Sequence, residues 1–273
     1  MATNPSTLTI RLLGSFALER LPSPPPTLRR KTRALLAYLA AADQPPSRQH
    51  LADLFCQEAN APSRVLSLLF SRIRNQLGAD FLQTENNTVR LNPQLVRVDY
   101  ATFRQQLSGD LSRQDTASIE SAVSLYRGEF LEAFSLPDAP EFEQWLLGQR
   151  AQVQQLLERA LASLVRQFSR SGSYEPAIQY ARRLLQHNPL LEDAHAQLIW
   201  LYAQTGQREA ALRQYDHCQT LLQAELGVSP TDTLQQLRTE IQAGALSRPA
   251  LQTELAAIPT TAPIAPDFVG RAA

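Results

Sequence analysis

The chain begins with two short β-type runs. LTIRLLGSFAL, Leu8 to Leu18, turns around Leu13-Gly14-Ser15 and predicts a small hairpin. Pro22 to Pro26 then interrupts regular structure. The period lengthens after it, and Leu35, Leu36 and Leu39 predict a helix from about Lys31 to Ala42. Asp43 to Pro46 stops that helix, and Ser47 is a good N-cap for a short second helix through Phe55. A third helix is predicted from about Pro62 to Leu77, with proline suited to the first turn and Gly78 as the stop. FLQTENNTVRLN, Phe81–Asn92, reads as strand, polar turn at Glu85-Asn86-Asn87, and strand. The fold class is therefore mainly α with small β: a winged helix-turn-helix of three helices with a small N-terminal sheet and a C-terminal wing hairpin.

From Tyr100 to about Gly244 the pattern shows no strand signal. Helices are predicted over 99–107, 115–134, 139–171, 173–187, 190–205, 207–225 and 230–243, separated by Gly109, Pro137, Gly172, Pro189, Gly206 and Pro230. An internal repeat lies here. Leu164, Phe168, Gly172 and Ala177 recur 34 residues later as Leu198, Tyr202, Gly206 and Ala211. About 34 residues is the period of a tetratricopeptide helix pair. Two repeats are few for a free-standing solenoid, so the helices at 115–171 are expected to cap or extend the stack. The expected domains are a winged helix at 1–98, an all-α TPR-like domain at 99–245, and a linker at 246–273 rich in Ala, Pro and Thr.

Composition adds an asymmetry. The net charge is zero, yet residues 1–104 carry 13 Lys/Arg against 7 Asp/Glu, and residues 105–273 carry 13 against 19. A basic half joined to an acidic half points to a nucleic-acid contact in the first. All basic residues but Lys31 are arginine, so part of the pattern reflects compositional bias. No apolar run reaches the length of a membrane span, and Met1 to Ser6 lacks a secretory pattern, which places the chain in the cytoplasm with no membrane partner. Cys56 and Cys218, far apart in predicted helices, read as buried free thiols.

The candidate chemistry lies on the third helix. Leu66, Leu69, Phe70, Ile73 and Leu77 form a core stripe, whereas Arg64, Leu68, Ser71, Arg72 and Asn75 fall on another face. In a major groove, arginine pairs bidentately with guanine, serine suits several bases, and leucine meets a thymine methyl. Arg72 and Arg74 are placed for phosphates, as are Arg48 at the start of the second helix and Arg90 on the wing. An amphipathic helix with a solvated arginine face would give the same wheel; the helix's place, third of three before a hairpin, favours the groove. The cluster Arg29-Arg30-Lys31 with Arg33 reads as a solvated face or a phosphate contact.

An enzyme finds no support. The ten glycines form no phosphate-binding loop, no nucleophile elbow occurs, and His50, His187, His195 and His217 show no metal-ligand spacing. No metal or cofactor is expected in this chain.

These residues resemble the bacterial transcriptional activator domain proteins, including the antibiotic-regulatory (SARP-type) activators. RRKTRALLAYLA (Arg29–Ala40) and SRIRNQLG (Ser71–Gly78) look like that family's winged helix. VDYATFRQQL, LYRGEFLEAF and the run through Asn188 to Glu192 and Glu225 to Pro230 look like its helical half. The likeness covers about residues 8–244. It implies that Arg64, Arg72 and Arg74 match basic DNA-contacting positions. Ser67 stands where many relatives carry arginine, and Phe55-Cys56 replaces a frequent Trp-Pro. Ser67 is therefore carried as a groove-facing position of reduced charge.

Pro266 to Arg271 is similar to the opening of STAND-type nucleotide-binding domains, which implies the front part of a larger switch. The expected function is transcription regulation: the winged helix binds double-stranded DNA, and the TPR-like domain mediates homodimerisation, autoinhibition, or contact with RNA polymerase or a downstream nucleotide-binding domain. The alternative is a protein-interaction module with weak or no DNA binding.

Overall fold

A computed structural model describes residues 7–20, 26–56 and 59–244. The break at Pro22 to Pro26 lies outside these residues except for Pro26, and the linker and the Pro266–Arg271 segment lie wholly outside. The described residues fall into two compact units, within Met1–Gln167 and Phe168–Ala273.

The first unit opens with β1 (Leu8–Arg11) and β2 (Ala17–Arg20), paired antiparallel with Leu8 opposite Arg20. Three helices follow: α1 (Arg30–Ala41), α2 (Arg48–Cys56) and α3 (Pro62–Leu77). The wing is β3 (Leu82–Glu85) and β4 (Thr88–Leu91). Both central residues of its turn, Asn86 and Asn87, have positive φ, the geometry asparagine tolerates and a tight hairpin requires. The chain then forms β5 (Val96–Val98), α4 (Asp99–Leu107), α5 (Thr116–Ser124) and most of α6 (Pro140–Arg170).

Two features of this unit depart from the sequence reading. β5, unforeseen, lies parallel to β1 and makes it the central strand of a three-stranded sheet in the order β2-β1-β5. The helix expected over 115–134 ends at Ser124. Beyond it the chain docks on the loop after β1: Phe130 bridges to Leu13 and Gly14, and Leu131 N–H donates to Leu12 O at 2.8 Å. Leu131 and Ala133 take positive φ there. Arg150 of α6 holds the turn open, donating to the carbonyls of Phe130, Leu131 and Phe134 and pairing with Glu129 at 3.2 Å. Positive φ at Leu131 and Ala133 is incompatible with a right-handed helix, so the helical run cannot continue through this segment.

Asp99 is the other tie. Its buried carboxylate accepts from the backbone N–H groups of Leu12 at 2.8 Å, Leu13 at 3.3 Å and Tyr100 at 2.7 Å, and from Arg127 at 3.3 Å. Burial pushes its carboxyl above the ordinary aspartate range, against these donors, which pull it down. Around it aromatic rings from both sides of residue 98 share one core. Tyr38 lies 4.8 Å from Trp145, Phe55 lies 5.4 Å from Phe142, and Tyr100 lies 5.1 Å from Phe130. The position where the sequence suggests a domain boundary is thus interior to this unit.

The second unit contains α7 (Tyr174–His187), α8 (Glu192–Gln204), α9 (Arg208–Glu225) and α10 (Asp232–Ala243). The 34-residue repeat is visible in the backbone. Gly172 and Gly206 take φ of 76° and 73°. Ser173 N–H reaches Phe168 O at 2.9 Å, and Gln207 N–H reaches Tyr202 O at 2.8 Å, the same helix-ending bond one repeat apart. Ala177 and Ala211 are both fully buried where a larger side chain would separate the helices.

Two stability outcomes follow from these contacts. Asp99→Ala leaves three buried backbone donors without their acceptor and should lower the unfolding free energy by about 2–4 kcal/mol, read from the urea midpoint; a shift below about 0.5 kcal/mol would contradict the network. Gly206→Ala meets open space but must hold a left-handed backbone, so it should cost about 1–2 kcal/mol. Gly148→Ala, also in open space but inside α6, should instead stabilise by about 0.5–1 kcal/mol. The same sign for both would exclude this account.

Candidate nucleic-acid interface

The third helix forms where its sequence places it. Pro62 occupies its first turn, and Gly78, with φ of 121°, ends it. Leu66, Leu69, Phe70, Ile73 and Leu77 are at most 2% exposed and anchor the helix to the core. Arg64, Ser67, Leu68, Ser71, Arg72 and Asn75 are exposed on the other side. The stripe is held by apolar burial, so the exposed face is free to be polar without a stability cost.

The flanking elements are tied to this helix through its candidate residues. Ser47 caps α2 by accepting from His50 N–H at 3.1 Å, and Arg48 N–H donates to Asn87 O in the wing turn at 2.9 Å. Val89 N–H donates to Pro46 O at 3.0 Å, so the α1–α2 loop lines the wing's edge. The Arg48 guanidinium donates to Ser67 Oγ at 3.1 Å and lies 5.0 Å from the Phe70 ring centroid, while Ser67 Oγ donates to Ser63 O at 2.8 Å. Arg48 thereby brings a cation beside Ser67, where the family resemblance leads one to expect an arginine on α3 itself.

Arg74 is half-buried and donates to Thr84 Oγ1 of β3 at 3.2 Å. Arg90 donates from Nε to Gln83 Oε1 at 2.9 Å, its directly opposite cross-strand neighbour. Side chains alternate along a strand, so Thr84 with buried Val89 faces the helices and Gln83 with Arg90 faces away. The structure therefore joins Arg48 to Ser67 and Arg74 to the wing, and sets Arg90 apart on the wing's outer face. Gln83 and Thr84 were not singled out from the sequence, although counting outward from the Asn86-Asn87 turn pairs Gln83 with Arg90.

Electrostatics separate this face from the rest of the unit. Elsewhere in the unit several cations meet carboxylates: Arg11 with Glu19, Arg104 with Asp43, Lys31 with Asp138 at 2.7 Å, Arg127 with Asp99 and Arg150 with Glu129. Among the described residues, Arg48, Arg64, Arg72, Arg74 and Arg90 form no ion pair with a carboxylate. Three of them are held by the neutral side chains Ser67, Thr84 and Gln83, which fix position and leave the charge uncancelled. The Arg29–Arg33 cluster divides: Arg29 and Arg30 are exposed, Lys31 pairs with Asp138, and Arg33 lies over the Phe134 ring.

The remaining chemistry-bearing groups are structural. Burial pushes the Cys56 thiol up and that of Cys218 to about 12, so both are poor thiolates. His195 is buried between Pro189 O at 2.9 Å and Gln214 Nε2 at 2.7 Å, and desolvation holds its pKa below the ordinary value. Among the described residues no group of His, Cys, Asp and Glu is placed to hold a metal, and no helix is long and apolar enough to cross a membrane.

A winged helix joined to a TPR-like helical unit is an architecture of transcription regulators. The family model of the bacterial transcriptional activator domain matches residues 96–242, more than half of the chain, and the chain belongs to that family. No curated protein matches it. Among solved structures, EmbR of Mycobacterium tuberculosis, in complex with a low-affinity phosphopeptide, is similar at a TM-score of 0.67 and 20% identity, over 89% of this chain and 67% of that one. That likeness extends through the winged helix and bears out its fold. The family model starts at β5, the strand that completes the N-terminal sheet.

The Arg48–Ser67 bond can be measured directly. A double-mutant cycle with Arg48→Met and Ser67→Ala should give a coupling of about 0.5–1 kcal/mol in unfolding free energy. A coupling indistinguishable from zero would mean that the pair is open in solution.

Proposed function

We propose that this chain regulates transcription by binding duplex DNA through its winged helix, with α3 in the major groove. The carrying observation is the face of Arg48, Arg64, Arg72, Arg74 and Arg90, five guanidinium groups on α2, α3 and the wing that meet no carboxylate among the described residues, whereas Arg11, Lys31, Arg104, Arg127 and Arg150 of the same unit do. A phosphate backbone is the partner that such uncancelled, positioned guanidinium groups fit. In this reading Arg64, on the first turn of α3, contacts base edges together with Ser71. Arg72, Arg74 and Arg48 take phosphates at the groove's rim, and Arg90 takes the backbone or the minor groove beside the wing. Ser67 acts through Arg48.

The second unit supplies protein contacts in this proposal: dimerisation, autoinhibition, or docking of RNA polymerase or a downstream nucleotide-binding domain. Leu190, Leu226 and Val228 support that role, since each is a large apolar side chain left exposed. They equally favour the second reading, an interaction module that binds DNA weakly or not at all.

Binding to promoter fragments across a salt series separates the two. With about four phosphate contacts, the logarithm of the affinity should fall with the logarithm of salt at a slope of about −3 to −4. Arg72→Ala should weaken all sequences alike and reduce that slope by about 1, whereas Arg64→Ala should relax discrimination between sequences by about 1–3 kcal/mol. No binding at low salt would leave only the interaction-module reading.

A further inference from the structure

We infer that Leu68 is a specificity-determining residue of the DNA interface and that its ligand is the C5-methyl group of a thymine. This rests on the duplex-DNA reading above and names one chemical group that the helix recognises. The core of the first unit does not need Leu68. The five apolar residues that anchor α3 are at most 2% exposed, whereas Leu68 is 53% exposed. It is the apolar member of a face that otherwise shows Arg64, Ser67, Ser71, Arg72 and Asn75. Its position is equally telling: Arg64 lies one turn before it and Arg72 one turn after, on the same side of the helix.

An apolar side chain flanked by two unpaired cations suits a surface that is anionic at its edges and carries an isolated apolar group between them. A major groove has that form, with phosphates along both rims and, on the base edges, the thymine methyl as its apolar group. A protein partner would have to offer an apolar pocket rimmed by carboxylates instead, and that alternative appears as an outcome below. An A·T pair is thereby placed opposite the middle of α3.

The test uses the intact chain and a randomised duplex library. Selected duplexes are remade with uracil replacing thymine one position at a time, which removes the methyl and leaves the hydrogen-bonding edge unchanged. We expect a thymine common to the selected sites whose replacement weakens binding about fourfold, the effect of losing one buried methyl. In Leu68→Ala and Leu68→Gln that replacement should have no effect, with thermal unfolding confirming that both variants fold. Leu147→Ala, which removes a leucine 64% exposed on α6, should keep the full sensitivity. Sites without a common thymine, indifference of the intact chain to every uracil, or unchanged sensitivity in both Leu68 variants would overturn the inference while DNA binding itself stood. Failure of the intact chain to select any duplex would overturn the DNA reading and this inference together. Loss of self-association or of a protein contact in Leu68→Ala, with uracil sensitivity intact, would assign the residue to a protein partner instead.

Discussion

The Asp99 carboxylate is the point from which the first unit is organised. It accepts two backbone amides from the loop after β1, one from the start of its own helix, and a guanidinium from the segment after α5. The four donors come from three separate stretches of chain. Burial of a charge is costly, and the four donors that converge on it offset only part of that cost, so its carboxyl still stands above the ordinary aspartate range. Removing the carboxylate would strand the donors. Arg150 does the corresponding work on the other side of the segment, collecting the carbonyls of Phe130, Leu131 and Phe134 around the positive-φ residues Leu131 and Ala133.

One consequence concerns where a DNA-binding part ends. By family matching the activator domain begins at residue 96, yet its first strand completes the sheet begun by Leu8, and Phe142 and Trp145 of α6 fill the core behind α1 and α2. α1 and α2 of the winged fold are therefore packed against α6 through aromatic contacts rather than joined to the activator domain only by a linker. Tyr38 and Phe55 of α1 and α2 thus touch each other and α6, and α2 in turn touches α3 through Arg48 with Ser67 and Phe70.

What the sequence disclosed follows from range. The core stripe of α3, its Pro62 start and Gly78 stop and the Asn86-Asn87 turn depend on residues within a turn or two of each other, the 34-residue repeat shows as the same local pattern met twice, and the structure has them as expected. The parallel pairing of β5 with β1 joins residues nearly ninety positions apart, with only three residues of strand to announce it. The segment LYRGEFLEAF has helical spacing of its apolar residues, but Phe130 and Leu131 are buried against β1's loop and not along a helix face. Spacing alone cannot tell these apart. For the interface, the sequence exposed the arginines but not their neutral holders, because Arg48 with Ser67 and Arg74 with Thr84 meet only once α2, α3 and β3 are packed.

Zero net charge is no obstacle to an anionic partner once pairing is considered. A carboxylate within bonding distance removes a guanidinium from the field that a distant phosphate experiences, while a serine, threonine or glutamine does not. In the first unit Arg11 on the sheet, Lys31 on α1, Arg104 on α4 and Arg150 on α6 meet acids, while the arginines on α2, α3 and the wing meet hydroxyls, an amide or solvent. The neutral holders also reduce the rotamer freedom of Arg48, Arg74 and Arg90 before any ligand arrives, which lowers the ordering entropy that binding would otherwise cost. A helix with few arginines can then present an effective positive face, because the charge it lacks at Ser67 is delivered by Arg48 from the neighbouring helix.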